Sequence, residues 1–291
     1  DSLHGFAKTH GAPRLQEAVD ALALAAHDTR VKGLSLRLGS SDLGLANAQE
    51  VRDAVMKFKA SGKFVQAFAD SFGEMGGGTI DAYIASAADE IWMQPSGDMG
   101  LVGFSAELPF LKGSLDLLGI QPEFQRRHEY KSAVETFTEK TMSPQSRAST
   151  QALLGSFMDQ VVKGIAEGRK LSVESVRGQI DQGPFSADEA LSAKLIDKLG
   201  YADEADDALN LKFPESEIIA ISDFLNAVER PNSKGDHKIA VIHASGPVVG
   251  GQGSDQPFDG NKTIASLDIV GALQDAVDDE KVAAILLRID S

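Results

Sequence analysis

A lysine within a basic stretch is the first residue of this chain whose type suits catalysis. Lys131 follows Arg126, Arg127 and His128, and Arg147 lies further along the chain. A lysine amine acts as a general base only if it can release its proton near neutral pH, which requires burial or nearby positive charge. The neighbouring cations would meet the second requirement. The same residues also fit a solvated basic patch, since a single lysine is usually exposed.

A glycine-rich turn is the second feature with possible chemistry. Gly76, Gly77 and Gly78 precede Thr79, whose hydroxyl would open the following helix. Three glycines can form a phosphate cradle, but neither a GxGxxG pattern nor a following Gly-Lys-Ser/Thr is present. A flexible turn is therefore the better interpretation. The six histidines lack paired ligand spacing and cysteine is absent, so we expect no metal, no cofactor and no cysteine nucleophile.

Composition narrows the function classes further. The 291 residues carry a formal net charge of −15, which argues against nucleic acid as the main partner. No stretch of the sequence is apolar for long enough to predict a membrane-spanning helix. These properties fit a globular protein whose main partner is not nucleic acid.

The elements that must position Lys131 and Thr79 alternate between strand and helix. Strands are predicted over 31–38, 63–69 and 90–93, and helices over 14–27, 46–60 and 79–88. Strands separated by helices at this spacing indicate a parallel sheet with right-handed crossovers. The sequence therefore predicts an α/β fold.

The chain changes character after residue 95. A turn-rich loop over 96–102, a helix over 108–118, an extended segment over 120–126 and an irregular polar stretch over 127–142 are predicted in that order. Ser143 and Pro144 then open a long helix, because serine is favoured at the N-cap and proline at the first helical position. Ser186 and Glu189 form a capping box for a later helix.

The end of the chain repeats its beginning. Residues 19–40 and 270–291 share nine identities in 22 positions at a constant offset of 251, and both read as a helix, an acidic turn and a strand. A period this long indicates a duplicated domain rather than a solenoid. Pro, Asn, Ser and Gly mark a linker over 229–237. We therefore expect a first repeat over 1–235, which carries Lys131, and the opening of a second repeat over 236–291.

Three stretches give the sequence a specific resemblance. They are EYKSAVETFTEKTMSP over 129–144, GPFSADEALSAKLIDKLG over 183–200 and KVAAILLRIDS over 281–291, with a weaker fourth, YIASAADEIW, over 83–92. Together they resemble the signal peptide peptidase A family in its long bacterial form, which is built from two tandem repeats. That family belongs to the Clp protease and crotonase-like superfamily.

The resemblance implies a fold and an activity. The fold would be a crotonase-like ββα spiral, tandem duplicated, with the second copy truncated. The activity would be that of a serine endopeptidase with a Ser/Lys dyad, which degrades signal peptides and other short apolar peptides. Lys131 matches the family's general base. The nucleophilic serine would lie in the second repeat beyond Ser291, with Thr79 in its place in the first repeat, so this fragment alone would be inactive.

The resemblance also implies partners and a location. We expect peptide substrates, a homo-oligomer (a tetramer), and a membrane anchor in the full-length protein that is missing from this chain. The location would be the bacterial inner membrane, with the catalytic part facing the periplasm. Two alternatives stay open: a crotonase-like acyl-CoA enzyme, for which no basic phosphate-binding patch is evident, and a non-catalytic scaffold repeat, which the missing serine favours.

Overall fold

The computed structural model describes residues 14–39, 43–73, 77–228, 235–253 and 263–291. The chain divides into two compact units, with the boundary between Val228 and Glu229. Gly76 of the glycine-rich turn and residues 229–234 of the predicted linker lie outside the described residues.

The strands of the described chain are ten in number. They are β1 (Gly33–Leu38), β2 (Phe64–Ala69), β3 (Glu90–Met93), β4 (Asp98–Met99), β5 (Phe185–Ser186), β6 (Lys198–Leu199), β7 (Lys238–Ser245), β8 (Val248–Val249), β9 (Ile264–Ala265) and β10 (Val282–Asp290).

The helices described number eleven. They are α1 (Leu15–His27), α2 (Leu45–Ala60), α3 (Thr79–Ala85), α4 (Lys112–Leu117), α5 (Glu135–Thr138), α6 (Pro144–Arg169), α7 (Val173–Gln182), α8 (Ala187–Ser192), α9 (Ala202–Lys212), α10 (Ile221–Ala227) and α11 (Ser266–Asp278).

A four-stranded parallel sheet organises the first unit. Its strand order is β1-β2-β3-β6, and each neighbouring pair is parallel. The α/β fold with a parallel sheet that the sequence predicts is therefore confirmed, with strand ends within two residues of those expected. β2 lies between two neighbours, and five of its six residues are buried, as is usual for strands covered on both faces.

The long helix α6 joins this core to the segment that carries Lys131. Its N-cap is Ser143, whose Oγ accepts the backbone N–H of Ser146 at 3.1 Å, with Pro144 at the first position as predicted. The apolar side chains of α6 are buried only in its C-terminal half, at Val161, Val162, Ile165 and Ala166. The N-terminal half of α6 therefore extends beyond the core, towards residues 105–142.

Residues 105–142, which we call the arm, differ most from the sequence prediction. The helix predicted over 108–118 forms only as α4, and residues 120–126 pair with no strand of the described chain. α5 forms instead within the stretch predicted to be irregular. The physical reason is exposure: Leu117 is 90% and Leu118 is 72% exposed, so they supply no buried apolar face that would stabilise a longer helix, although Phe124 and Phe137 stack with ring centroids 5.6 Å apart.

The 183–200 segment has a clear structural role. The Asp197 carboxylate accepts the backbone N–H of Ile91 at 2.8 Å and receives two hydrogen bonds from the Arg169 guanidinium at 2.7 and 2.9 Å. The predicted capping box of α8 is also present. This segment therefore joins β3, the end of α6 and β6, and its polar residues stabilise the fold.

The second unit is smaller. β10 pairs with β7 in parallel, β8 pairs with β9 in parallel, and α11 precedes β10. The predicted strands at 31–38 and 282–289 both form, and each is preceded by a helix.

One turn is the same in both units. Asp28 ends α1 and accepts the N–H of Arg30 at 2.9 Å, while Asp279 ends α11 and accepts the N–H of Lys281 at 2.9 Å. The backbone angles also agree, with φ −81° and ψ 115° at Asp28 and φ −80° and ψ 104° at Asp279. The duplication stays a prediction, which this shared turn supports.

Candidate active site

A turn in the arm presents Lys131. Its backbone N–H donates to the carbonyl of His128 at 3.3 Å, and His128 has a positive φ of 65°. Such a left-handed residue is uncommon outside glycine, although histidine is among the more tolerant types. A second turn follows at once, in which the Glu135 N–H donates to the carbonyl of Ser132 at 2.9 Å. Lys131 therefore lies at the junction of two turns.

The Lys131 side chain is exposed. Among the described residues, none forms a hydrogen bond or an ion pair with its ammonium group. This geometry leaves the amine accessible to a reacting group.

Glu135 is the buried residue beside this turn. It is 2% exposed, and its carboxylate accepts hydrogen bonds from Ser143 Oγ at 2.7 Å, from the Ser143 N–H at 3.2 Å and from Arg126 Nη1 at 3.0 Å. Burial alone would raise the pKa of Glu135, but these hydrogen bonds and the Arg126 charge outweigh it and hold the pKa below its usual value. Glu135 is therefore an anionic anchor between the arm and the N-cap of α6.

The basic cluster that the sequence suggests is divided by this contact. Arg126 pairs with Glu135 at 3.0 Å, so the positive charge of Arg126 is compensated. Arg127 is exposed, and neither a hydrogen bond nor an ion pair links it to another described side chain. Of the two arginines, only Arg127 therefore offers uncompensated charge near Lys131.

Thr79 does not have the environment of a nucleophile. It is 2% exposed, its hydroxyl accepts the Gly103 N–H at 3.0 Å, and the hydroxyl approaches the Gly103 carbonyl at 3.3 Å. Gly103 has φ +79° and lies two residues before the arm begins. The hydroxyl is thus used to hold this loop, and no hydrogen bond joins Thr79 to Lys131.

Within the part of the chain that the structure describes, no group of three or more His, Asp or Glu side chains is placed to hold a metal ion. The described helices also include none that is long and apolar enough to cross a membrane.

Comparison with known proteins assigns the chain to a family. The model of peptidase family S49 matches residues 57–212, which is more than half of the chain and includes Lys131, Glu135 and all of α6. The chain belongs to peptidase family S49. The peptidase family that the resemblance implied is therefore confirmed.

Members of family S49 with curated names match most of the chain. "Protease 4" of Haemophilus influenzae is 28% identical over 94% of this chain and 46% of its own length. "Serine protease SPPA, chloroplastic" of Arabidopsis thaliana is 26% identical over 92% of this chain and 39% of its own length. "Putative signal peptide peptidase SppA" of Enterococcus faecium is 25% identical over 62% of this chain and 51% of its own length. The chain spans about half the length of these relatives, or less.

Glu135 is the site residue that the sequence reasoning missed. It stands in the stretch that carries the resemblance, but an acidic side chain in a polar segment normally indicates solvent exposure. The available signal was its position between apolar residues Val134 and Phe137, followed by the N-cap Ser143. A carboxylate flanked by residues that favour burial needs partners, and a helix N-cap supplies them.

Proposed function

We propose that this chain is part of a serine endopeptidase that uses a Ser/Lys dyad to degrade signal peptides and other short apolar peptides. The observation that carries the proposal is membership of peptidase family S49 together with Lys131 in the motif that matches the family's general base. The printed names of the relatives, a serine protease and a putative signal peptide peptidase, support the nucleophile type and the substrate class.

In the proposed reaction, Lys131 serves both as base and as acid. Its neutral amine accepts the proton of the nucleophilic serine as that oxygen attacks the scissile carbonyl carbon. The resulting ammonium then gives this proton to the departing amine, so the acyl-enzyme forms with no net change in protonation. Water, activated by the same amine, releases the acyl group. Backbone N–H groups would stabilise the oxyanion in both halves of the reaction.

The serine would come from residues outside this chain. Thr79 is buried and hydrogen-bonded to Gly103, which supports its assignment as a structural residue. Ser291 follows the end of β10 and fits a turn residue better than a nucleophile. Under this proposal the chain supplies the base, and the isolated fragment has no peptidase activity.

We further propose that the arm packs against another copy in a homo-oligomer, with a tetramer expected from the family resemblance. The arm exposes large apolar side chains at Leu108, Leu111, Leu117, Leu118, Ile120, Phe124, Tyr130 and Phe137. Apolar surface of this kind is typical of a protein interface. Such packing would also cover Lys131. We propose that this assembly lies at the bacterial inner membrane with its catalytic part in the periplasm, as the family resemblance implies.

Labelling of the full-length protein with a fluorophosphonate probe tests the proposal. We expect one serine to be labelled, and we expect Lys131→Ala to abolish the labelling because the serine loses its base. Lys140→Ala, a change of the same type on the same arm, is the matched control and should label normally. A protein that folds but shows no reactive serine would instead support the scaffold alternative.

A further inference from the structure

We infer that Glu135 is a positioning residue that fixes Lys131 relative to the core by joining the arm to the N-terminus of α6. This inference rests on the proposed role of Lys131 as the base. The observation that carries it is a contrast in burial. Every residue of the arm is described, and Glu135 is the one residue among 105–142 that is buried.

A buried carboxylate without partners is strongly unfavourable, so its contacts indicate what the chain must keep in place. Glu135 accepts three hydrogen bonds, one from Arg126 and two from Ser143. These two donors lie on opposite sides of Lys131 in the sequence. The contacts therefore close the segment 126–143 at its base and confine Lys131 to a short loop.

The anchor connects that loop to a rigid element. Ser143 is the N-cap of α6, and its Oγ donates to Glu135 while accepting the N–H of Ser146. α6 continues for 26 residues, and its C-terminal half is buried in the core. A carboxylate at a helix N-terminus is also stabilised by the helix dipole. Because Glu135 is bound to the N-cap of α6, the position of Lys131 depends on this helix rather than on the exposed remainder of the arm.

A purely electrostatic role for Arg126 is the competing explanation. A positive charge near Lys131 would favour release of its proton, and Arg126 and Arg127 are adjacent in the sequence. The two explanations differ for these neighbours. If Glu135 positions Lys131, only the loss of Arg126 should lower activity, because Arg126 contacts Glu135 and Arg127 does not. The electrostatic explanation predicts similar losses of activity for the two arginines.

The experiment uses the full-length protein with Glu135→Gln, Arg126→Gln and the matched control Arg127→Gln. The readouts are kcat and KM on a short apolar peptide, the pH profile of kcat, and the rate of tryptic cleavage after Lys131. We expect Glu135→Gln to lower kcat by about 10–100-fold with KM little changed, since a misplacement of about 1 Å can cost about 100-fold. Cleavage after Lys131 should be faster, because the loop is no longer closed.

Arg126→Gln should change kcat and proteolysis in the same direction, and Arg127→Gln should change neither. The double variant Arg126→Gln/Glu135→Gln should have the same kcat as Glu135→Gln alone, because each substitution breaks the same contact between Arg126 and Glu135. If Glu135→Gln fails to fold, Arg126→Gln tests the inference instead. The Arg126 side chain is 37% exposed, so we expect this variant to fold.

Two results would overturn the inference while leaving the proposed function intact. One is a Glu135→Gln protein that folds and has the kcat and the rate of tryptic cleavage of wild type, while Lys131→Ala is inactive. The other is an equal loss of kcat and an equal shift of the pH profile in Arg126→Gln and Arg127→Gln. Wild-type activity in Lys131→Ala, by contrast, would overturn the proposed function and this inference with it.

Discussion

At the scale of single residues, the site consists of an exposed amine beside a buried carboxylate. Lys131 has no side-chain partner among the described residues, whereas Glu135 has three hydrogen bonds. The two residues therefore have separate tasks in the proposed reaction. The amine is kept available for chemistry, and the carboxylate fixes the turn that presents it.

The hydroxyl of Thr79 gives a prediction at the same scale. Thr79→Val removes both contacts with Gly103 and leaves the half-buried N–H of Gly103 without this acceptor, which should cost about 1–3 kcal/mol of stability. Thr79→Ser keeps the hydroxyl and should be close to wild type. We expect both folded variants to retain full fluorophosphonate labelling. A folded Thr79→Val protein that loses the label would show that Thr79 has a catalytic role.

At the scale of elements, close contact between α6 and the core sets the position of Glu135, which binds the N-cap of this helix. A Cβ added at Gly168 would approach the Ser86 carbonyl oxygen to 2.0 Å, whereas one added at Gly155 on the same helix would meet no atom within 4 Å. Gly168→Ala should therefore destabilise the protein by about 1–3 kcal/mol through overpacking. Gly155→Ala should stabilise the helix by about 0.5–1 kcal/mol.

Urea denaturation of the two variants measures this difference. The expected result is a lower midpoint for Gly168→Ala and an equal or higher midpoint for Gly155→Ala. Equal midpoints for the two variants would contradict the described packing of α6 against the turn at Ser86.

The turn after α1 predicts a pH dependence. Hydrogen bonds from the Arg30 side chain and N–H hold the pKa of Asp28 at about 2. An unfolded aspartate has a pKa of about 3.9, so the turn stabilises the fold above about pH 4, and that contribution is lost as the pH falls towards 2. The Lys238 side chain and the Lys281 N–H likewise lower the pKa of Asp279.

Thermal unfolding at pH 7 and pH 3 checks this dependence. Asp28→Asn should be less stable than wild type at pH 7, and the difference should shrink at pH 3. Asp207→Asn is the control, because the Asp207 carboxylate is exposed and forms no hydrogen bond or ion pair with the described residues. Its stability should equal that of wild type at both pH values. A constant difference between Asp28→Asn and wild type at the two pH values would contradict the assignment.

Sequence patterns predict the elements that bury a regular apolar face, and they fail where burial depends on another surface. β3, α6 and the capping box of α8 form as the sequence predicts. The arm does not, because apolar side chains such as Leu117 and Leu118 stay exposed and cannot stabilise a helix over 108–118. Lys131 is found through a motif, but Glu135 is not, because its partners Arg126 and Ser143 are brought to it by folding.

At the scale of the whole molecule, the exposed arm predicts assembly. Leu117→Glu should weaken the proposed oligomer of the full-length protein, because a charge would replace a side chain that is 90% exposed in this chain and would be covered in that oligomer. Leu211→Glu, on α9 outside the arm and 83% exposed, is the matched control. Sedimentation velocity should show smaller species for Leu117→Glu only. A full-length protein that is monomeric and fully active would contradict the need for assembly.

The pH dependence of peptide cleavage by Lys131 variants of the full-length protein tests the central claim most directly. We expect Lys131→Ala to lose activity, and Lys131→Arg to do almost as badly, since arginine keeps the charge but cannot release its proton near neutral pH. Loss of a general base typically costs about 10²–10⁴ in rate. Circular dichroism should show that both variants fold. A Lys131→Arg enzyme with a near wild-type rate and an unchanged alkaline pH profile would contradict the assignment of Lys131 as the base.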